Sequence, residues 1–199
     1  MPSAASPPDR PSHPDRHPDR SSYPGAGLHP DRLLPVDPAV RAVARELLDV
    51  ISDLPVVAVH GHVDPGMLVA DEPFTDPASL LVTSDHYVLR VLHSGGVPLE
   101  EAGAGGGGHD PRRVWGVLCE HWGAFRGTAT RLWLEHELVE LFGVDLPLSA
   151  STADDAYDTI AACLGRPEYR PRALFGRFGI ELLSTTDEVD ADFGAHLAL

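Results

Sequence analysis

Apolar residues recur at helical spacing along most of the chain, and residues that begin or end helices bound each such stretch. Asp37-Pro38 combines an N-cap residue with a proline suited to the first turn, and the apolar positions that follow predict a helix to about Ile51. Further helices are predicted from Asp85 to the turn Gly95-Gly96, across Trp115, Leu118, Cys119 and Trp122, across Leu134, Leu138 and Leu141, and from a capping box at residues 151–155 to Leu164.

Two segments have the composition of β-strands. Residues 55–59 (Pro-Val-Val-Ala-Val) are short and apolar at every position, which is typical of a buried strand in a parallel sheet. Residues 180–184 (Ile-Glu-Leu-Leu-Ser) form the second candidate strand. The order strand, long helical stretch, strand predicts an α/β protein. Two parallel strands do not complete a domain, however, so this pattern alone does not define the architecture.

The first 27 residues predict a disordered tail. Pro-Asp-Arg triplets recur there at residues 8–10, 14–16 and 18–20, and almost no apolar side chain is available to offset the entropy of ordering. We therefore expect the folded part of the chain to be residues 28–199.

Acidic residues outnumber basic ones, with 30 Asp and Glu against 15 Lys and Arg, for a formal net charge of −15. This excess argues against binding to nucleic acid or to an anionic membrane by charge alone. No apolar run approaches the roughly 18–20 residues of a membrane span, and the first residues lack the pattern of a secretory signal. Cys119 and Cys163 are expected to be small apolar helix residues. We expect a soluble, cytoplasmic protein without nucleic-acid or membrane partners.

A His-x-His pair follows the first predicted strand directly. On a strand, residues two apart point to the same face, so His60 and His62 could bind one divalent ion together. The carboxyl end of a buried strand is also where barrel enzymes place catalytic groups. The alternative is a pair of loop histidines that bond to backbone and water, because a chain with 11 histidines produces such a pair by chance.

A second candidate lies at the start of a predicted helix. Asp85 could cap this helix, and the next two residues, His86 and Tyr87, offer a proton shuttle and a hydrogen-bond donor to a developing oxyanion. Without further information, an ordinary helix start explains the same residues.

Four other residues carry weaker expectations. Asp187, after the second strand, could be an active-site acid, a helix N-cap or a loop acid. Trp133 is expected to pack in the core or at a helix cap, and Glu135 and Glu137 are expected to be solvated.

Five separate segments resemble the uronate isomerase (glucuronate isomerase) family, a divergent branch of the amidohydrolase superfamily. They are residues 57–62 with His-Gly-His, 84–97 with Asp-His-Tyr and a glycine turn, 133–144, 151–154 with Thr-Ala-Asp, and 183–187 with Thr-Thr-Asp. The segments follow the family's order at roughly its spacings, and the resemblance covers about residues 28–199. The chain resembles the N-terminal part of the family.

The resemblance implies a partial (β/α)8 TIM barrel of amidohydrolase type. It places a largely helical insertion, about residues 97–178, between the first and second strands. It implies conversion of D-glucuronate to D-fructuronate, and of D-galacturonate to D-tagaturonate. The binding partner would be a small molecule, a hexuronic acid. Assembly into a homo-oligomer is a further possibility that stays open. A divalent metal, commonly zinc in this family, would bind at His60 and His62, and His86 and Tyr87 would be catalytic residues against the sugar acid.

Several parts of the family pattern have no counterpart in this sequence. They are the later strands, the arginines that bind the substrate carboxylate, a later histidine, and the aspartate after strand eight. The expectation is therefore an N-terminal fragment that is inactive alone. Two other interpretations stay open: another metal-dependent hydrolase of amidohydrolase type, and a non-catalytic remnant or interaction module.

Overall fold

A computed structural model describes residues 28–105, 108–188 and 190–199, which are mostly helical. The predicted tail, residues 1–27, lies outside the described residues. The α-helices are α1 (Pro38–Ile51), α2 (Pro65–Ala70), α3 (His86–Ser94), α4 (Pro111–Glu120), α5 (Ala129–His136), α6 (Ala153–Leu164), α7 (Pro171–Arg177) and α8 (Gly194–Ala198). The strands are β1 (Val56–Ala58) and β2 (Ile180–Leu183). Short π-helical turns cover Ser79–Thr83 and Glu137–Leu141, and 3-10 turns cover Trp122–Phe125, Ala150–Thr152 and Pro167–Tyr169.

Side-chain caps begin α1 and α3 at the residues that the sequence predicts. The Asp37 carboxylate accepts hydrogen bonds from the backbone N–H groups of Ala39 and Val40 at 2.9 and 3.0 Å, and α1 ends at Ile51 as predicted. The Asp85 carboxylate accepts from the N–H of Tyr87 at 2.7 Å and begins α3. These bonds satisfy donors that the first helical turn leaves without an intrahelical partner.

The predicted capping box at residues 151–155 is wrong by two positions. The reciprocal bonds form between Ser149 and Thr152, at the 3-10 turn that precedes α6. Thr152 also donates its hydroxyl proton to the Pro147 carbonyl, which fixes the chain before the turn. The helix itself still runs from Ala153 to Leu164.

The hydrophobic core lies among the helices. Trp115 of α4 and Ile160 of α6 are almost fully buried, and so is Leu92 of α3. The Trp115 indole N–H donates to the Ala153 carbonyl at 2.9 Å, which satisfies its one polar atom inside the core. The packing of α4 against α6 therefore combines a large apolar contact with a satisfied buried hydrogen bond.

Both cysteines are structural, as predicted. Cys119 and Cys163 are buried and form no disulfide. Burial, and to a smaller extent the charge of Glu120, raises the pKa of the Cys119 thiol to about 12. A thiol with such a high pKa is protonated at neutral pH and is a poor nucleophile.

β1 and β2 pair in parallel, which confirms both predicted strands and their order. The Val56 N–H donates to the Gly179 carbonyl, and the Ser184 N–H donates to the Ala58 carbonyl, each at 2.8 Å. Because the strands are parallel, their carboxyl ends lie at the same edge. The segments that follow them are therefore brought together.

The prediction that the first strand is buried is wrong for the described structure. The side chains of Val56, Val57 and Val59 are 46%, 54% and 78% exposed, and Leu182 of β2 is also about half exposed, at 48%. A strand that is apolar at every position is typically buried on both faces. In the described structure, however, the helices pack against one another and leave the strand uncovered. The result is an exposed apolar surface on the two-stranded sheet.

Arg172 joins α7 to α2. Its Nε donates to the Leu68 carbonyl at 2.6 Å and its Nη2 donates to the Val69 carbonyl at 3.3 Å. Its backbone N–H donates to the Asp71 carboxylate at 2.9 Å. These bonds satisfy carbonyls at the end of α2, the helix that follows the His-x-His loop, and fix it against the helix that leads into β2.

The prediction that Glu137 is solvated is wrong. Its side chain is partly buried and lines a mostly apolar cavity of about 270 Å³ that Asp85 also lines. Burial, followed by the negative charge of Asp85, raises the pKa of Glu137. The residue begins a π-helical turn, which shifts the side-chain faces expected from a regular helical repeat. Glu135 is also partly buried, and it forms an ion pair with Arg131, so the prediction that it is solvated is wrong as well.

No helix in the described part of the chain combines the length and apolar character needed to cross a bilayer.

Replacing Glu137 by glutamine should reduce the loss of stability with rising pH. A raised pKa in the folded state means that the proton binds more tightly when the chain is folded. The stabilisation is therefore complete below the ordinary glutamate pKa and is lost as pH rises through the folded value. The free energy of unfolding in urea, measured at about pH 5 and pH 7.5, should favour Glu137→Gln over wild type more strongly at the higher pH.

The exposed Glu100 provides the matched control for this comparison. Glu100→Gln should keep the pH dependence of the wild-type chain. Identical pH dependence in wild type and Glu137→Gln would contradict the assignment of a raised pKa to Glu137.

Candidate active site

The His-x-His pair lies just beyond the carboxyl end of β1, and its two imidazoles converge. The Nε2 atoms of His60 and His62 are 3.2 Å apart, and the rings meet edge to face with centroids separated by 4.9 Å. The Nε2 atoms of the two histidines therefore point into the same space.

The segment after β2 supports this loop from the other strand. The Thr186 hydroxyl donates to the Gly61 carbonyl at 2.9 Å and lies 3.0 Å from Nδ1 of His62. A Cβ at Gly61 would lie 3.0 Å from the Leu183 side chain and 3.2 Å from the Ser184 carbonyl. Glycine between the two histidines thus lets the loop approach β2 closely.

The distance between the histidine nitrogens fits a shared zinc ion. Two nitrogens that bind one tetrahedral zinc at the usual bond length of about 2.0–2.1 Å lie about 3.3 Å apart, and the observed separation is 3.2 Å. Among the described residues, no group of three or more His, Cys, Asp or Glu side chains is close enough to hold an ion. Two imidazoles supply part of a catalytic zinc site, which ordinarily has three protein ligands and an open position.

The second predicted pair lies at the first turn of α3. The rings of His86 and Tyr87 are 4.2 Å apart, and both side chains are exposed. The Tyr87 ring also meets the edge of Trp133 at 6.1 Å and lies below the Arg90 guanidinium at 5.7 Å. The Tyr87 ring is therefore held by neighbours on two sides, while its surface remains open to a ligand.

Of the two placements predicted for Trp133, in the core or at a helix cap, the core placement is wrong. The residue is 51% exposed, and its described ring contact is with Tyr87. α5 turns this side chain toward α3, whereas Leu134, the next residue, enters the core.

The two candidate pairs form separate groups. Within residues 28–105, 108–188 and 190–199, no hydrogen bond, ion pair or ring contact joins His60 or His62 to His86 or Tyr87. The structure brings together the members of each pair but does not bring one pair onto the other.

Asp187 is part of a small polar cluster with α8. The Thr185 hydroxyl donates to its carboxylate, and Nε2 of His196 lies 3.6 Å from the same carboxylate and 2.8 Å from the Thr185 oxygen. Asp187 lies in the loop after β2 and does not cap α8, whose N-cap is Phe193. Sequence reasoning did not single out His196, since these contacts come from the docking of α8 and no local pattern signals them.

Comparison with known proteins gives consistent results. A family model described as glucuronate isomerase matches residues 39–199. The uronate isomerase of Corynebacterium efficiens is 49% identical over 173 residues, and that of Rhizorhabdus wittichii is 51% identical over 172 residues; each match covers 86% of this chain.

Solved structures agree with these matches. The crystal structure of glucuronate isomerase from Caulobacter crescentus superposes with a TM-score of 0.83 at 43% identity over 86% of this chain. That of uronate isomerase from Thermotoga maritima gives 0.72 at 27% identity over 79% of the chain.

The chain spans about 37% of the length of the two relatives compared and 36% and 34% of the two solved chains. The family model nevertheless covers most of the described residues without a break, including both candidate pairs and both strands. The chain belongs to the glucuronate isomerase family.

Proposed function

We propose that this chain supplies the N-terminal part of an aldose–ketose isomerase for hexuronic acids. The proposed reactions convert D-glucuronate to D-fructuronate and D-galacturonate to D-tagaturonate. The observation that carries the proposal is the convergence of His60 and His62 at the carboxyl edge of a parallel strand pair, in a chain of this family.

The proposed fold is the first portion of a (β/α)8 barrel of amidohydrolase type. In such barrels each strand is covered by the barrel interior on one face and by helices on the other. The all-apolar composition of β1, exposed in the described structure, suits a strand that further elements cover. Residues 97–178 contain helices α4 to α7 and no strand among those described, which suits a helical insertion between β1 and β2.

The proposed cofactor is a divalent metal, zinc by the chemistry of the donors, held by Nε2 of His60 and Nε2 of His62. Neutral imidazole is a common zinc ligand, and the separation of the two nitrogens suits a shared ion. When bound, the metal would supply Lewis-acid polarisation of a sugar oxygen.

Tyr87 and His86 are the proposed catalytic residues. Isomerisation moves a proton from C2 to C1 of the sugar. The C1 carbonyl becomes a hydroxyl and the C2 hydroxyl becomes a carbonyl, so a second proton passes from the C2 oxygen to the C1 oxygen. The Tyr87 side chain is 48% exposed, and none of the described hydrogen bonds uses its hydroxyl, so the O–H can donate to a sugar oxygen or relay a proton there. His86 lies against the Tyr87 ring and supports it.

The isomerase proposal predicts activity in a chimera. Residues 39–199 would replace the corresponding part of the Corynebacterium efficiens uronate isomerase, and ketose formation from D-glucuronate would be measured. The chimera should isomerise glucuronate, and Tyr87→Phe should lower kcat about 100-fold or more, because general acid–base groups contribute on that order.

Tyr157→Phe serves as the control, since Tyr157 packs in the core against Trp115. It should leave kcat near that of the parent chimera. Equal kcat for the Tyr87→Phe variant and the parent would refute the role of Tyr87, and hydrolysis of an amide or ester without isomerisation would favour a hydrolase.

The metal proposal predicts that zinc binding depends on both histidines. Because two imidazoles form only part of a zinc site, the test uses the chimera: mixed with zinc and passed through a desalting column, it should retain metal when measured by atomic emission. His60→Ala or His62→Ala should retain far less, because each removes one nitrogen ligand.

His93→Ala provides the control, since His93 is exposed and its Nδ1 bonds to the Val97 carbonyl within the turn after α3. It should retain zinc as the parent chimera does. Equal retention in all four proteins would show that zinc binds elsewhere and would remove His60 and His62 from the site.

A further inference from the structure

The Thr186 hydroxyl bridges two groups of the His-x-His loop. It lies 2.9 Å from the Gly61 carbonyl oxygen and 3.0 Å from Nδ1 of His62. A threonine hydroxyl has one proton to donate and two lone pairs that accept, whereas a carbonyl oxygen can only accept. The proton therefore goes to Gly61, and the hydroxyl oxygen can only accept from the His62 ring.

The hydrogen bond from His62 to the Thr186 oxygen determines which ring nitrogen of His62 carries the proton. A neutral imidazole carries one N–H, and the bond to Thr186 requires it on Nδ1. Nε2 of His62 then keeps its lone pair and points toward Nε2 of His60, 3.2 Å away. That is the form in which Nε2 can bind a metal ion.

We propose that Thr186 is a positioning residue that holds His62 in its Nδ1–H tautomer and so keeps Nε2 available as the ligand atom. The link to a metal rests on the function proposed above, whereas the tautomer follows from the described contacts alone. The hydroxyl is supplied by the segment after β2 and the histidine by the segment after β1. The pairing of the two strands therefore determines the tautomer of His62.

The neighbouring threonine, Thr185, contacts a different histidine, so the contact with His62 belongs to Thr186 alone among these two residues. Thr185 donates its proton to the Asp187 carboxylate and lies 2.8 Å from Nε2 of His196. The same accounting places the proton of neutral His196 on Nε2, the opposite tautomer. Nδ1 of His196 is buried and has no partner among the described residues, which agrees with this assignment. Two adjacent threonines thus orient two different histidines.

The tautomer can be measured without metal or substrate. Two-bond proton–nitrogen correlation spectra of the 199-residue chain with 15N-labelled histidine, at about pH 8.5 where an ordinary imidazole is neutral, distinguish Nδ1–H from Nε2–H. Wild-type His62 should carry its proton on Nδ1. Thr186→Val, which keeps the shape but removes the hydroxyl, should shift His62 toward a mixture of tautomers. Thr186→Ser should restore the wild-type signals.

Thr185→Val is the matched control, since it should change the His196 signals and leave those of His62 unchanged. A wild-type His62 protonated on Nε2 would overturn the proposal, as would wild-type His62 signals in the Thr186→Val variant. The wild-type and Thr186→Ser spectra decide the question even where Thr186→Val does not fold.

Titration with zinc alone separates this proposal from the metal site itself. Removing an outer hydrogen-bond partner of a metal ligand typically weakens binding about 10- to 100-fold, so Thr186→Val should bind zinc that much more weakly than wild type and Thr186→Ser. Zinc affinity in Thr186→Val equal to wild type would overturn the link from tautomer to ligand. If the nitrogen signals of His60 and His62 in wild type do not respond to zinc while His62 is protonated on Nδ1, the proposed metal site fails and the tautomer assignment stands.

Discussion

The parallel pairing of β1 with β2 is the interaction on which the candidate site depends. These short strands are distant in the chain, and the segment between them folds into helices with their own core. The hydrogen bond from the Ser184 N–H to the Ala58 carbonyl, at 2.8 Å, fixes how far each strand extends past the other. That register carries His62 to Thr186, whereas a shift by one residue would turn the side chains to the opposite face.

The helical core lowers the entropic cost of pairing two strands that are distant in the chain. Closing a flexible loop costs entropy, and that cost grows only slowly with the length of the loop. The helices between the two strands also order much of the intervening chain through their own contacts. α4 and α6 pack through Trp115 and Ile160, and Arg172 fixes α7 against the end of α2. The elements that enter β2 and leave β1 are thus held in place by contacts outside the sheet. A close approach at Gly61 completes the arrangement.

Features with local causes could be predicted from the sequence. Asp37 and Asp85 begin helices because a carboxylate satisfies N–H groups two and three residues later, and the sequence displays that relation directly. The two strands and the His-x-His pair after the first were also predictable, because both are signalled by residues that are adjacent in the sequence. The exposure of Val57 and the partial burial of Glu137 were not, because both depend on which distant elements cover them.

The supporting residues of the site show the same limit. Thr186 lies in a segment that resembles the family, yet only the folded chain shows that its hydroxyl joins Gly61 to His62. His196 carries no local signal at all, and its contact with Thr185 arises from the placement of α8. Candidate ligand residues can thus be proposed from their spacing after one strand, while the groups that contact them come from the segment after the neighbouring strand and depend on the sheet register.

The measurement that tests this account most directly is the scalar coupling across the strand hydrogen bonds in the 199-residue chain. NMR detection of coupling between the Ser184 amide nitrogen and the Ala58 carbonyl carbon, and between Val56 and Gly179, would establish both the pairing and its register. Both couplings should be observed. Their absence in a chain whose helices are folded, or a coupling from Ser184 to a carbonyl other than that of Ala58, would contradict it.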